Sequence, residues 1–426
     1  MRIEECALPK MNSLVSDYVA GEKKARAYFD YDFTDHHAYL NRRLELRDQQ
    51  FPREALADHL YEFNKQFTTH PNVVNNIEKL RLNDCTVVIT GQQAGFLTGP
   101  LYTIYKAIST IQHAKSLEKE LNTPVIPVFW VAGEDHDYQE INHIWLLENN
   151  RLIKKKYTEI YNDKRPVSAI QFDKHAMNQW IEAVFRSFGE SENTKTILQL
   201  LHEKLESSTT VTEFFIHIMA SFFDESGLIF IDSAHDSLRK IESPFFKAMI
   251  ERNNEIREAF QIQSKALEDD GYPIGVQAED QCAHVFYHHQ GERQLLYVNE
   301  QQFVDKDSIV SLSQTDLKRI CDESPERLSN NVVTRPLMQE LLFPTLAFVA
   351  GPGEMTYWAQ LKGVFSIFGR HMSPVIPRMH ATIVDKKVNK MLKTFGLSLQ
   401  SVFANGVKPY RGEWFEKQKG KDADLL

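Results

Sequence analysis

Between residues 85 and 131 the sequence alternates between patterns typical of strands and of a helix. Residues 86–90 form a short β-branched run, residues 91–95 a glycine-rich turn, and residues 101–121 a long stretch with helical spacing. The apolar run at residues 125–131 shows no alternation, which is typical of a parallel strand covered on both faces. This succession predicts a βαβ unit and, with it, a parallel sheet as the core of the fold.

The rest of the chain surrounds and interrupts this unit. Strand patterns of the same kind return at residues 228–232, 344–350 and 374–377, whereas residues 134–221 are polar and charged and residues 261–320 alternate like antiparallel strands. We therefore predict one α/β, Rossmann-like core with two connecting insertions and a helical N-terminal layer. The predicted segments are the helical layer at 1–80, core at 81–133, a first insertion at 134–221, core at 222–260, a second insertion with a small antiparallel sheet at 261–325, core at 326–400 and a final segment at 401–426.

The composition excludes several classes of protein. With 426 residues, 42% of them hydrophobic, the chain can bury a large core. Its formal net charge of −9 and the lack of a long Lys/Arg run argue against a nucleic-acid partner. The N-terminal residues match neither a signal peptide nor a transit peptide, and no apolar run could span a bilayer. We therefore expect a cytoplasmic protein without a membrane partner.

The four cysteines are scattered along the chain. Cys6, Cys85, Cys282 and Cys321 include no C-x-x-C pair. This spacing fits a reducing compartment and argues against both a disulfide framework and a thiolate zinc site. We interpret Cys85, which directly precedes an apolar strand, as a small core residue rather than a reactive thiol.

The glycine-rich turn after the first strand is the first candidate ligand site. In open parallel sheets ligands bind at the carboxyl ends of the strands, and glycines there let the backbone approach a ligand closely. The spacing G-x-x-x-G-x-x-x-G matches neither the dinucleotide fingerprint nor the Walker A loop, and no clear phosphate-gripping lysine follows the first strand. A simple chain turn is an equal alternative. The candidates here are Gly91, Gln92, Gln93, Gly95 and Tyr102.

Three carboxylates and an imidazole follow the second strand, at Glu134, Asp135, His136 and Asp137. Such crowding is costly in a packed interior, because like charges repel and burial disfavours each charge, so we expect at least one member to titrate abnormally. Three interpretations stay open. The cluster is an exposed acidic turn, a divalent-metal site that includes His143, or a site that binds amines and hydroxyls with His136 or Asp137 as general acid or base.

An arginine and a second glycine turn complete the candidates. Arg335 lies among amides and a hydroxyl, the set that recognises a carboxylate or phosphate, although a structural salt bridge is equally consistent with it. A Gly-Pro-Gly turn at residues 351–353 opens a helix whose Tyr and Trp either form an apolar wall with a polar edge or pack in the core. The further candidate substrate-binding residues are Asn331, Thr334, Gly351, Glu354, Tyr357 and Trp358.

Four long motifs resemble those of a known family, and the likeness runs along nearly the whole chain. They are TGQQAGFLTGPLYTIYK, PVIPVFWVAGEDHDYQEINH, SNNVVTRPLMQE and LAFVAGPGEMTYWAQLK. They resemble the BshC family of bacillithiol synthesis, proposed to add cysteine to glucosaminyl malate. The resemblance implies a Rossmann-like core with inserts, similar to nucleotidyltransferases, an active-site cleft at the strand ends, and a C-terminal coiled coil that forms a homodimer. It also implies an adenine-nucleotide pocket that uses Asp385, Lys386 and Lys387.

The implied reaction joins the cysteine carboxyl to the amine of glucosaminyl malate. ATP is the expected activator, because amide formation in water is uphill. We assign Arg335, with its neighbouring amide and hydroxyl, to the malate carboxylates, and the first glycine-rich turn to sugar hydroxyls or the amino acid. The acidic cluster would orient and deprotonate the attacking amine, and we expect its carboxylates to raise the proton affinity of His136.

Oligomeric state and two rival functions stay open. The chain ends about where the coiled coil of the family would begin, so we expect a monomer or a weak dimer. The rivals are a metal-dependent amidohydrolase of sugar derivatives, which would use residues 134–137, and a non-catalytic ligand-binding partner of the pathway enzymes. We assign no metal to the ligase itself.

Overall fold

The structure is a computed structural model that describes residues 3–6, 11–148, 151–157, 159, 161 and 163–422. The strands, in chain order, are β1 (Thr86–Gln92), β2 (Val125–Val131), β3 (His143–Glu148), β4 (Arg151–Lys156), β5 (Ile229–Asp232), β6 (Cys282–His289), β7 (Glu292–Asn299), β8 (Gln302–Asp305), β9 (Ser311–Ser313), β10 (Leu328–Asn330), β11 (Thr345–Ala350) and β12 (Val375–Pro377).

The helices account for most of the remaining described residues. In chain order they are α1 (Ser13–Ala20), α2 (Lys23–Arg26), α3 (His36–Arg47), α4 (Arg53–Asn64), α5 (Pro71–Lys79), α6 (Tyr102–Leu121), α7 (Tyr138–Ile141), α8 (Lys174–Arg186), α9 (Thr194–Glu206), α10 (Val211–Phe223), α11 (Asp236–Glu251), α12 (Asn253–Asp269), α13 (Gln314–Glu323), α14 (Thr334–Leu342), α15 (Pro352–Trp358), α16 (Lys362–Ile367), α17 (Lys386–Phe395), α18 (Leu399–Asn405) and α19 (Lys408–Asp422). Short 3-10 turns lie at Phe96–Thr98, Val167–Ala169, Asp224–Ser226 and Pro325–Arg327.

The predicted βαβ unit forms the centre of a five-stranded parallel sheet with the strand order β12-β11-β1-β2-β5. β1 and β2 are in register from Thr86–Val125 to Gln92–Val131, so their carboxyl ends are level. Every residue of β2 and β11 is buried, which confirms that the unalternating apolar runs are strands covered on both faces. β11 pairs with the other edge of β1, so the direction of strand succession reverses between β1 and β11. At such a point a ligand crevice is expected at the carboxyl ends of the strands.

Helix α6 returns the chain from the end of β1 to the start of β2. Its buried face contains small and aliphatic side chains such as Ala107, Ile111 and Ala114, together with the charged Lys106. The helix ends at Asn122, which adopts a left-handed conformation with φ of 50°, as asparagine does more readily than most residues. Lys106 is therefore held by the helix on the side that faces the sheet.

The second insertion forms the small antiparallel sheet that the alternating pattern predicted, with the strand order β10-β6-β7-β8-β9. Two boundaries differ from the prediction. α12 runs across residue 261 without a break, because the apolar side chains of Phe260 and Leu267 continue its buried face. β10, predicted within the second half of the core, pairs with β6. The SNNVVTRP motif therefore begins on the antiparallel sheet and not at the end of a parallel strand.

The N-terminal layer is helical, as predicted, and consists of α1 to α5. A buried ion pair joins it to the core. Arg42 of α3 and Glu340 of α14 are both almost fully buried and in direct contact. Arg42 also donates to the carbonyl oxygen of Thr345 at 3.1 Å, at the start of β11. Because an unpaired buried charge is costly, this pair is satisfied only when the layer lies on the sheet.

The first insertion contains the short helix α7, a hairpin, β3–β4, and the helices α8, α9 and α10. Positions 149, 150, 158, 160 and 162 of this insertion lie outside the described residues. The final predicted segment holds most of α18 and all of α19, and its residues 423–426 also lie outside the described part. Among the helices that the structure describes, none combines the length and apolar character needed to cross a membrane.

Candidate functional site

A cavity of about 400 Å³ opens beside the turn that follows β2. Three distant parts of the chain form it: the turn after β2, the strands β6 and β7, and the segment between β10 and α14. An irregular segment at residues 276–279 completes the lining. The predicted residues that line this cavity are Asp135, His136, Asp137, Asn331 and Arg335. The acidic cluster and the arginine motif, about 200 positions apart in the chain, therefore meet at one site.

Glu134 lies behind the cavity and anchors its charged residues. Its side chain is fully buried, with one carboxylate oxygen 2.5 Å from Nη2 of Arg239 and the other 2.7 Å from Nε of Arg335. Burial alone would raise the pKa of Glu134, but Arg239, Arg335 and Arg293 lower it to about 2. Within the cluster, the abnormal titration expected from the sequence therefore falls on Glu134. Its position indicates a support for the arginines rather than a direct ligand contact.

Two arginines and Asp135 form the charged part of the cavity. Nη2 of Arg335 lies 2.5 Å and Nη1 of Arg293 3.4 Å from the same carboxylate oxygen of Asp135. The Arg293 guanidinium also lies over the Phe286 ring, 3.7 Å from its centroid. Burial lowers the pKa of Arg293 to about 10, so it is a cation at neutral pH. With Arg335, it makes this part of the cavity suited to an anionic group.

Arg293 was not among the residues identified from the sequence. It lies on β7 within the second insertion, in a strand whose alternation predicted structure but not function. Its neighbours in sequence form no motif that could have singled it out. The fold brings it to Asp135, 158 positions earlier in the chain.

His136 titrates in the opposite direction from the prediction. Burial and the charge of Arg293 lower the pKa of the imidazole, and they outweigh the opposing effects of Asp137 and Asp135. The imidazole is therefore neutral at neutral pH. Its Nδ1 lies 3.4 Å from Nη1 of Arg293. Because a guanidinium can only donate, a hydrogen bond across this contact requires the free electron pair of the ring on Nδ1. Asp137, the next residue, is exposed at the cavity.

Asn331 and Thr334 have structural partners at the start of α14. The Asn331 side-chain oxygen accepts from the amides of Val333 at 2.8 Å and Thr334 at 3.2 Å. The Thr334 hydroxyl is fully buried and donates to the carbonyl oxygen of His284 at 2.7 Å. These bonds orient the helix that carries Arg335. The geometry therefore favours positioning by Thr334 over direct ligand contact, while Asn331 lines the cavity.

In the first glycine-rich turn, Gly91 and Gly95 allow parts of the chain to approach each other closely. A Cβ on Gly95 would lie 2.7 Å from the Cα of Gly99, so only glycine permits this close chain crossing. Gly91 lies at the end of β1, where a Cβ would approach the Trp130 carbonyl oxygen to 3.1 Å. The side-chain NH₂ group of Gln93 donates to the carboxylate of Glu140 at 3.1 Å. Tyr102 is exposed at the start of α6.

Lys106 lies between the ends of β1 and β11, where the direction of strand succession reverses, and binds protein oxygens on both sides. Its side chain is only 3% exposed, and Nζ contacts the Gly91 carbonyl oxygen at 2.6 Å, the Gln92 side-chain oxygen at 2.9 Å and Glu354 at 2.5 Å. Burial lowers its pKa, opposed by Glu354. Lys106 orients the side chain of Gln92 through its amide oxygen, which leaves the NH₂ group as the donor of that side chain. The residue lies in the TGQQAGFLTGPLYTIYK motif, which was the available signal.

We expect Lys106→Met to lower the free energy of unfolding by about 3 kcal/mol, because it leaves three acceptors without their shared cation. Lys115→Met, on the exposed face of the same helix, is the matched control and should change stability by less than about 0.5 kcal/mol. Urea denaturation of both variants measures the difference. Equal stabilities would contradict the structural role of Lys106.

The residues of the second glycine turn and its helix have two kinds of surroundings. Glu354 lies beside Lys106, and Trp358 lies in the core. Glu354 accepts from the Gly351 amide at 2.7 Å and pairs with Lys106. Tyr357 is partly buried, whereas Trp358 is 2% exposed and stacks on Phe348 with ring centroids 4.1 Å apart. Trp358 is thus a core residue, and the prediction that it forms a ligand wall is not supported by its position.

The predicted nucleotide residues lie apart from this site. Asp385 caps α17 by accepting from the amide of Val388 at 2.7 Å, and Lys386 and Lys387 begin that helix. All three are exposed, and none of them lines the 400 Å³ cavity. The structure therefore does not bring them together with the acidic cluster.

The metal interpretation lacks ligands in the described part of the chain. No group of three or more His, Cys, Asp or Glu side chains there is arranged to hold a metal ion. Both oxygens of Glu134 and one oxygen of Asp135 face arginines instead. Guanidinium groups already supply the positive charge that a divalent ion would provide to these carboxylates.

Comparison with known proteins identifies similar chains. Residues 1–379 match the family model described as bacillithiol biosynthesis BshC, N-terminal Rossmann-like domain. A Bacillus cytotoxicus protein named "Putative cysteine ligase BshC" is 40% identical over 418 residues, which are 98% of this chain and 77% of that protein. Proteins of the same name from Bacillus cereus strain AH187 and Anoxybacillus flavithermus are 40% identical over 418 and 422 residues, with the same coverage.

Proposed function

Because this chain belongs to the bacillithiol biosynthesis BshC family, we propose that it is a cysteine ligase that joins the carboxyl group of L-cysteine to the amine of glucosaminyl malate. The observation that supports this reaction is the arrangement of Arg293 and Arg335 beside the neutral imidazole of His136 in one cavity. A substrate with carboxylates at one end and a reactive amine at the other needs both kinds of group.

The arginines are proposed to bind the malate carboxylates. Arg335 directs Nε and Nη2 at Glu134 and Asp135, and we assign its Nη1 to the substrate. Arg293 is almost fully buried, so its charge acts in a medium of low polarity, where ion pairs are stronger than in water. Gln92, oriented by Lys106, is proposed to donate from its NH₂ group to sugar hydroxyls or to the amino acid.

His136 is proposed to take the proton that the attacking amine must lose. An amine in its ammonium form has no electron pair for the carbonyl carbon, so deprotonation has to precede or accompany attack. Nδ1 of His136 holds the free pair, and its 3.4 Å contact with Arg293 is long enough to be exchanged for the substrate. Asp137, exposed at the same cavity, would attract the ammonium group.

ATP is the proposed activator of the cysteine carboxylate. Amide formation from a free carboxylate in water is uphill, and transfer of a phosphoryl or adenylyl group to that carboxylate provides a leaving group. That group departs with the electron pair as the C–N bond forms. Asp385, Lys386 and Lys387 are proposed as nucleotide contacts by likeness to the family alone. We place the reaction in the cytoplasm, where ATP and reduced cysteine are both available.

We expect the purified protein to form the amide when given glucosaminyl malate, L-cysteine and ATP, with ATP consumed in step with product. Mass spectrometry of the thiol-labelled product and a nucleotide assay measure both. Reactions that lack cysteine or ATP are the controls. Product formed equally without ATP would contradict the ATP-dependent reaction. Tight binding of glucosaminyl malate without turnover under any nucleotide condition would favour a non-catalytic binding role instead.

A further inference from the structure

An irregular segment at residues 274–279, here called the strap, separates two cavities. Four of its residues line both the 400 Å³ site cavity and a cavity of about 710 Å³ against α12: Val276, Gln277, Ala278 and Glu279. The strap belongs to none of the three sheets, and the burial of its residues alternates. Ile274, Val276 and Ala278 pack on the main hydrophobic core, while Gln277 and Glu279 are exposed. The strap is therefore an extended wall one chain thick.

One buried side chain holds the middle of the strap. Gln360, which has no exposed surface, accepts from the amides of Gly275 and Val276, both at 2.9 Å. Its NH₂ group donates to the carbonyl oxygen of Val276 at 2.9 Å and to the Ser264 hydroxyl at 2.7 Å. Gln360 thus pairs with the strap as a neighbouring strand would, through both kinds of backbone group.

The strap also approaches α15 too closely for any side chain at Gly275. A Cβ there would lie 2.5 Å from the amide nitrogen and 2.7 Å from the Cα of Tyr357. These are backbone atoms, which cannot rotate away as a flexible side chain would. Arg257 secures the residue that follows the strap, because it donates to the carbonyl oxygen of Asp280 at 2.6 Å and 2.8 Å. The middle of the strap depends on Gln360 and Gly275.

We propose that Gln360 and Gly275 are positioning residues that hold the strap as a wall of the substrate cavity and thereby set the affinity for glucosaminyl malate. This inference rests on the proposed function of the cavity. Neither residue lines the cavity. They act through Val276, Gln277, Ala278 and Glu279, which do. A displaced strap would merge the two cavities and leave the bound substrate open to water on that side.

Two variants test how the strap is held, one at Gly275 within the strap and one at Gln360, which binds it. Gly275→Ala pushes the strap away from α15, and Gln360→Met removes the polar contacts while keeping a side chain of similar length. We expect each variant to raise KM for glucosaminyl malate about tenfold with kcat changed less than about twofold, since uniform binding is lost and the reacting groups stay in place. Gly353→Ala on the same helix is the matched control, because nothing lies within 4 Å of its added Cβ.

A second measurement does not depend on turnover. Hydrogen exchange of the backbone amides of Gly275 and Val276 should speed up in Gln360→Met and stay unchanged in Gly353→Ala. If the wild-type protein shows no turnover, calorimetric affinity for glucosaminyl malate replaces KM, so the strap is tested even if the ligase proposal fails. Gly275 is exposed, so the Gly275→Ala protein should fold even if the Gln360→Met protein does not. Unchanged KM and affinity in folded Gly275→Ala, or a fall in kcat with KM unaltered, would overturn the proposal.

Discussion

We expect His136→Asn to fold normally, bind glucosaminyl malate and lose amide formation by a factor of about 10² to 10⁴, the range for removal of a general base. Asparagine preserves a polar side chain beside Arg293 but cannot accept a proton at neutral pH. Because burial and Arg293 lower the pKa of His136, the wild-type activity should hold at neutral pH and decline only as the pH falls below 6.5, the ordinary imidazole value. Initial rates and a pH profile of kcat/KM measure both effects.

His143→Asn is the matched control for this experiment. His143 begins β3 and does not line the cavity, so its replacement should leave the rate unchanged. Loss of activity in both variants would favour the metal interpretation, in which both imidazoles are ligands. Wild-type rates in His136→Asn would remove this residue from the chemistry and leave the cluster a role in binding alone.

We expect Arg335→Ala to lower both the free energy of unfolding, by about 3 kcal/mol, and the affinity for glucosaminyl malate. From the sequence, a cleft arginine would be expected to bind substrate while supporting little of the fold. The structure changes that expectation, because Glu134 is fully buried and depends on Arg335 for one of its two oxygens. An ionised carboxylate left without this partner is costly in the interior. Urea denaturation and calorimetric titration measure the two losses.

Arg335→Lys separates the two roles. Lysine keeps the charge beside Glu134 but cannot form the parallel contacts of a guanidinium, so we expect most of the stability to return while substrate affinity stays low. Arg319→Ala removes an exposed ion pair with Asp316 and should change stability by less than about 1 kcal/mol. A folded Arg335→Ala protein with wild-type stability and affinity would contradict both assignments.

Local patterns predicted the architecture well where one kind of spacing persisted. The apolar runs at β2 and β11 were identified as buried parallel strands, and the alternation at residues 283–298 as antiparallel ones, because each pattern reflects burial along a few consecutive residues. The boundary at residue 261 failed because α12 continues its buried face through it. β10 was misplaced because a three-residue strand has too little pattern to reveal its partner.

The sequence predicted which residue types form the candidate site, but not which of them form ion pairs with one another. The sequence identified the cluster at residues 134–137 as costly in a packed interior, and Arg335 as a group that binds either a ligand carboxylate or a protein carboxylate. It did not reveal that they compensate one another, or that Arg293 and Arg239 join them from elsewhere in the chain. Trp358 was ambiguous, because an aromatic residue after a glycine turn fits either the core or a cleft.

By itself the sequence determined the parallel core, the two insertions and the family, since periodicity and long motifs are properties of neighbouring residues. Only the tertiary structure decided which carboxylate forms an ion pair with which arginine. Glu134 contacts Arg335 across 201 positions and Arg239 across 105, and Asp135 contacts Arg293 across 158. The tertiary structure also reversed the expected pKa shift of His136, because an electrostatic shift depends on distance and burial in space. Neither quantity is set by spacing along the chain.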